Sequence, residues 1–358
     1  MTRTETNPWL NRFAVFAALN TVVLIAIGGL VTSKEAGMAV PDWPTTYGYN
    51  MFFFPIRLWN GGIFYEHTHR LFASWVGFLT VILFGWLMAR ESRGWLRKLG
   101  GLALFLVILQ GVLGGLRVVL YRDQIGILHA ALAQSFLALL ASIALFTSGL
   151  WPRIAPAGVP VRVRNWMIAG TGLLFLQLLL GATLRHAHAG LAIPDFPLAY
   201  GHLWPATDPE SLQRINQAHA DVTITAFQIQ VHMAHRIGAL LVLGVSLWIT
   251  SRVVRALGTG SLFARGVLGW QGLVLAQALL GASTVWTGKA ADIATLHVVV
   301  GASCLVVAVL LTLVAARLSH ARPMRFETSG PRGARRVQGA GAPSLQPTHP
   351  VATPSAQS

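Results

Sequence analysis

The sequence predicts an all-α integral membrane protein, with eight transmembrane helices arranged as two pseudo-symmetric four-helix bundles in a parallel repeat. Three observations lead there. Of 358 residues, 54% are hydrophobic and only 11% charged, with a mean hydropathy of +0.58. That balance belongs to membrane chains and not to soluble domains of this size. Eight apolar stretches are long enough to cross about 30 Å of hydrocarbon, which takes roughly 20 helical residues each. Segments of the first half also recur, in order, in the second.

The stretches lie near residues 13–32, 70–89, 99–118, 125–148, 166–184, 232–251, 266–286 and 293–316. The first has no small-residue cleavage site after it and reads as a retained helix rather than a signal peptide. Long outer connections at 33–66 and 185–231 alternate with short ones at 119–124 and 287–292, the order that duplication of a four-helix unit produces. AGMAVPDWPTTYG at 36–48 matches AGLAIPDFPLAYG at 189–201, an offset of 153 residues. The run Gln110–Gly114 resembles Gln277–Gly281 at 167, and EHTHR at 66–70 answers HMAHR at 232–236 at 166. The jump from 153 to 166 places an insertion in the second long connection. An even number of helices separates the copies, so they share one orientation about an axis along the membrane normal.

The halves are residues 1–150 and 151–317. Residues 318–358 are rich in Pro, Gly, Ser, Ala and Arg and read as a disordered cytoplasmic tail, with His320 and His349 solvated. A net charge of +15 raises the question of a nucleic-acid partner, but its distribution answers it. The inner segments 1–12, 90–98, 149–165, 252–265 and 317–358 carry 18 Lys or Arg against 3 Asp or Glu, and the rest carries 9 against 9. The surplus therefore reports topology, with both termini cytoplasmic in a cell inner membrane, and implies no nucleic acid. The single cysteine, Cys304, excludes an internal disulfide and reads as a packing residue.

Chemistry concentrates in four histidines. His69 and His129 are 60 residues apart, His235 and His297 are 62 apart, and the second pair follows the first by 166 to 168. Each falls in the opening turns of an even-numbered apolar stretch, near the outer face. An imidazole in hydrocarbon is costly and is usually functional. Facing imidazoles across a four-helix bundle are a common cofactor arrangement, and neutral imidazole suits haem iron. Two bis-histidine haem sites, one per half, are therefore expected. There is no CxxCH attachment motif, so the haems are held noncovalently. Gly28, Gly29, Gly114, Gly115, Gly181 and Gly281 cluster at the outer ends of the odd stretches, where they allow close helix packing or make room for a flat cofactor.

Arg70 and Arg236 follow two of the histidines directly. Each can snorkel to the headgroups or bind a haem propionate through a charge-assisted contact. Glu66 lies three residues before His69, on the same helix face, and its counterpart is His232. It can serve as a proton acceptor or as a charge at a helix amino terminus. His67 and His232 read as second-rank or interfacial, and His186, His188, His202 and His219 as loop residues. The stiff segments Pro41–Pro44 and Pro194–Pro197 read as lids.

With these residues in place, the chain resembles the haem A synthase family over about residues 10–318. EHTHR at 66–70 looks like that family's E-x-x-H-R segment, and His129, His235 and His297 match its remaining helix histidines. The resemblance implies that His69 and His129 ligate the substrate haem O, and that His235 and His297 ligate a haem b cofactor. It implies oxidation of the C8 methyl of haem O to a formyl group, giving haem A for a terminal oxidase, with Glu66 catalytic. It further implies haem O synthase and oxidase assembly factors as partners, and it leaves homo-oligomerisation open. Paired outer-loop cysteines found in some members are absent, so the electron donor is not identified. The competing reading is a dihaem membrane cytochrome that only transfers electrons, for example from quinol. A transporter built on parallel repeats fits less well, because the ionisable residues lie at the outer face.

Overall fold

A computed structural model describes residues 7–218 and 223–319. Nine α-helices are present among the described residues: α1 Pro8–Ser33, α2 Gly61–Arg90, α3 Gly94–Val119, α4 Asp123–Thr147, α5 Val161–His186, α6 Pro209–Ala218, α7 Ala226–Leu257, α8 Leu262–Trp286 and α9 Ala291–Leu318. All but α6 are long and apolar enough to cross a membrane. The chain is thus a multi-pass membrane protein of all-α class. α9 runs through Leu318 with Ser319 as its C-cap, so the first two residues of the tail expected at 318–358 belong to the helix end, while the rest of that tail and His219 fall outside the described residues.

The helix ends follow from local chemistry. Asn7 accepts from the Trp9 and Leu10 amides (3.0 and 3.2 Å) ahead of Pro8, the preferred start of a helix. α7 opens with a capping box between Thr225 and Gln228. α2 and α7 begin earlier than their apolar stretches suggest, so His69 and His235 lie in the third turn rather than the first.

Two apolar cores form. One joins Leu10, Ala17, Leu79, Leu83, Leu96, Leu140 and Ile143 from α1–α4. The other joins Val163, Met167, Ile249, Val267, Trp270 and Leu305 from α5 and α7–α9, with Cys304 buried beneath Trp270, whose indole donates to its carbonyl at 3.1 Å. The packing role expected of Cys304 is what it has. α1 and α4 pack on each other and meet α9, and α4 also meets α5. Each core is also closed by a bond at its own helix ends: Asn11 of α1 donates to the Ala144 carbonyl of α4 (2.6 Å), and Arg317 Nε of α9 donates to the Ile154 carbonyl ahead of α5 (2.7 Å). Outward, Leu19, Phe78, Phe105, Ile108, Leu176 and Leu240 remain exposed, as lipid-facing positions of spanning helices require.

The second long connection carries α6, on the insertion foreseen from the offsets. Leu212 and Ile215 of α6 pack on a small core of Ala189, Ile193, Ile224 and Met233.

Candidate functional site

The four histidines meet four glycines. A Cβ built on Gly28, Gly181 or Gly281 would come within 3.0, 3.0 and 3.1 Å of Cε1 of His69, His235 and His297, and one on Gly114 within 3.5 Å of Cε1 of His129. At Gly28, Gly181 and Gly281 a side chain would crowd the Cε1 edge of the imidazole, so glycine leaves the ring its room, whereas at Gly114 the approach is an ordinary contact. His69 interacts electrostatically with His129, and His235 with His297, which brings the foreseen pairs together. Nδ1 of His69, His129 and His297 is buried with no hydrogen-bond partner. Such orphaned atoms are rare and point to an absent partner. No three His, Cys, Asp or Glu side chains converge among the described residues. A pair of this kind suits an ion whose other positions a macrocycle fills, and the residues fit haem.

Glutamines stand behind three of the histidines. Gln110 Nε2 donates to the His129 carbonyl (3.0 Å). Gln177 Nε2 contacts both the carbonyl and Nδ1 of His235 (2.9 and 3.1 Å), and Gln277 Nε2 contacts His297 Nε2 (3.4 Å). Each glutamine precedes the cradle glycine by four residues, hence by one turn on the same face. The pattern Q-x-x-x-G was the signal, and α1 hides it by carrying Leu24 ahead of Gly28. Gln177 was missed for that reason.

The two proline loops are built alike. Asp42 accepts from the Tyr47 and Gly48 amides (2.7 and 2.9 Å), and Asp195 from those of Tyr200 and Gly201 (2.7 and 2.9 Å). Gly48 and Gly201 both have φ of 77°, the left-handed region that favours glycine. Partial burial would raise the Asp42 pKa, but the Gly48 amide, the Thr45 hydroxyl and the Tyr47 amide outweigh it and hold it below 3.8. Asp195 is lowered likewise, the Gly201 and Tyr200 amides overcoming its burial.

Arg70 and Arg236 clasp these loops. Arg70 donates to the carbonyls of Asp42, Thr45 and Val40 (2.7, 3.0 and 2.8 Å) and to Glu66 Oε1 (2.8 Å). Arg236 donates to Leu198, Asp195 and Ile193 (2.8, 2.6 and 3.3 Å). Glu66 is buried, and its second oxygen accepts from the Val40 amide (2.8 Å). The i,i+4 pair of Glu66 with Arg70 is the kind of contact a sequence can suggest, but the remaining acceptors of both arginines are main-chain carbonyls, of which the sequence gives no hint. His67 also holds the first loop, through Thr46 Oγ1 (3.2 Å) and the rings of Phe54 and Trp59. Trp43 seats its ring on Gly115, next to the cradle of His129. Phe196 stacks edgewise on Trp286, whose indole donates to its carbonyl at 3.2 Å. His186 packs on Gly126, while His188 and His202 sit in turns of the second connection. His232 is buried at the place where the first half has Glu66.

Residues 11–310 match the cytochrome oxidase assembly protein family. The chain belongs to that family. Among its relatives, the haem A synthase of Bradyrhizobium sp. (strain ORS 278) is 29% identical, over 88% of this chain and 91% of the relative. That of Novosphingobium aromaticivorans is 28% identical over 82% and 91%. The Symbiobacterium thermophilum haem A synthase is 30% identical over 67% and 75%. Family membership thus covers both histidine pairs and both loops.

Proposed function

We infer that this chain is a membrane oxidoreductase that oxidises the C8 methyl of haem O to a formyl group, giving haem A for terminal oxidase assembly. The observation that carries the reading is the set of four histidines on four glycine cradles, in a family whose relatives are haem A synthases. Those names support an oxidising enzyme over a pure electron carrier. His69 and His129 hold the substrate in residues 1–150, and His235 and His297 hold haem b in residues 151–317. When bound, haem b supplies one-electron redox chemistry. Both termini are cytoplasmic and the membrane is the cell inner membrane, on the strength of the basic inner segments. Haem O synthase and oxidase assembly factors are the expected neighbours.

Within the first site, Glu66 is the catalytic acid or base. It is one turn from His69, and its carboxylate can hold a proton or stabilise positive charge in a low-dielectric setting. The same carboxylate bridges Arg70 and the Val40 amide, so it also sets the position of the first loop. Arg70 and Arg236 reach a propionate by exchanging one loop carbonyl for a carboxylate oxygen, which a fork of five donors permits.

Glu66→Gln tests the reading. Gln keeps the bond to Val40 but can neither carry charge nor take a proton. With ample haem O, wild type is expected to accumulate haem A. The variant should keep haem b and accumulate haem O, with oxidation slowed roughly 100-fold. Full haem A production by the variant would reduce Glu66 to a loop strut.

A further inference from the structure

Arg185 of α5 and Arg117 of α3 have no arginine at the matching position of the other half, and Arg185 lies where α1, α5 and α9 converge. At an offset of 153, Arg185 of α5 corresponds to Thr32 of α1, and at 167, Arg117 of α3 corresponds to Thr284 of α8. Both threonines bond back into their own helices, to the Gly28 and Leu280 carbonyls (3.1 and 2.9 Å). Arg185 instead crosses to the other half. Its Nη2 donates to the Gly29 carbonyl (2.5 Å) and Ser33 Oγ (3.2 Å) of α1. Gly29 is pressed against Thr295 of α9, where a Cβ would come within 2.9 Å of the methyl group, and Ser33 Oγ is 3.4 Å from Thr295 Oγ1. Arg185 interacts electrostatically with His297 on one side and with Arg117 on the other. Arg117 interacts with both His69 and His129.

A half-buried cation at the end of a spanning helix is costly unless an anion answers it. The described partners of Arg185 are a carbonyl and a hydroxyl, both neutral. The carboxy-terminal dipole of α5 favours any cation there, but by too little to explain a guanidinium that leaves its own half. Guanidinium geometry matches carboxylate oxygens in pairs. In the second site Arg236 answers one haem propionate, and the other is a carboxylate still without a protein partner.

We propose that Arg185 holds a propionate of the haem seated at His235 and His297, a positioning role that docks this haem against the first half. The proposal rests on assigning haem b to that pair. A cation held beside the haem favours the ferrous state, so its loss lowers the midpoint potential.

The test is a redox titration of the bound haem in purified full-length protein, followed by absorbance, for wild type, Arg185→Gln, Arg185→Lys and Ser33→Ala. Arg185→Gln should keep the bis-histidine spectrum and shift the ferric–ferrous equilibrium about tenfold toward ferric, which is 59 mV for one electron. Arg185→Lys should recover most of that shift. Ser33→Ala removes only a neutral contact and should leave the potential where it was. An unmoved potential in Arg185→Gln, with haem bound, overturns the proposal and leaves Arg185 as a seam hydrogen bond. A spectrum that survives both His235→Ala and His297→Ala overturns the haem assignment itself. Should Arg185→Gln fail to accumulate, haem transfer from Arg185→Lys to apomyoglobin decides. An ammonium keeps the charge but not the fork, so transfer should quicken about tenfold, and an unchanged rate overturns the proposal.

Discussion

The two histidine pairs share a cradle but differ in how firmly their rings are held. In the second pair both imidazoles touch a glutamine: His235 through Nδ1 to Gln177, and His297 through Nε2 to Gln277. In the first pair Gln110 reaches only the main chain of His129, and His69 faces a helix with Leu24 in the glutamine position. A resident cofactor gains from ligands whose rotamers are fixed by neighbours. A substrate that must leave as product does not. The difference matches the proposed division between a site that retains its haem and one that turns it over.

The strongest way to break this comparison is to remove ligands one at a time. His235→Ala or His297→Ala should abolish the low-spin b-type spectrum of purified protein, whereas His69→Ala should spare most of it. Loss of the b-type signal with His69→Ala alone would reverse the two roles. A smaller effect should follow from exchanging the supports. Gln177→Leu gives the second site the character of the first and should speed haem b loss about fivefold, the equivalent of one hydrogen bond of about 1 kcal/mol. Leu24→Gln should do the converse and slow product release, read as more haem A co-purifying with the protein. Equal release rates in all three proteins would remove the glutamines from the argument.

The loops sharpen it further, by the smallest margin. A carboxyl whose folded pKa is lowered stabilises the fold fully above its unfolded value and loses that contribution as pH falls through the folded one. For Asp42 and Asp195 the window therefore opens below 3.8. The first loop should loosen there, seen as a change in Trp43 emission as the ring leaves Gly115. The second is backed by α6 and its small apolar core, so amide exchange at Tyr200 and Gly201 should rise less than at Tyr47 and Gly48. Equal exchange in both loops would mean that α6 does not buttress the second.

Much of this was legible in the sequence. Eight spans follow from apolar length alone, and the spacing of four histidines predicts their pairing because helices of a repeat present equivalent residues to equivalent places. Gly28, Gly114, Gly181 and Gly281 were visible as small residues, though not as the surfaces on which imidazoles rest, since that depends on helix approach. α6 carried a readable start in Asp208-Pro209-Glu210, with Asp208 accepting from the Ser211 amide at 3.0 Å, but its short polar stretch gives no membrane signal. Arg70 and Arg236 show the limit most clearly. A guanidinium beside a candidate ligand suggests a propionate, yet apart from the Glu66 carboxylate that Arg70 meets one turn away, the partners of both are carbonyl oxygens, which no side-chain pattern encodes.

One consequence of the first loop concerns the order in which the chain takes shape during synthesis. Its internal bonds all close within about ten residues: Asp42 to Tyr47 and Gly48, the Tyr47 hydroxyl to the Ala39 carbonyl (2.6 Å), and Thr46 to Tyr49 (3.0 Å). Contacts that close such short stretches form quickly and need no distant partner. The knot can therefore be tied as the segment emerges between α1 and α2, before Arg70 is available to grip it. The helix then receives a preformed cap instead of folding one. A peptide of residues 36–50 should accordingly show turn-type amide protection at Tyr47 and Gly48 that disappears with Asp42→Ala.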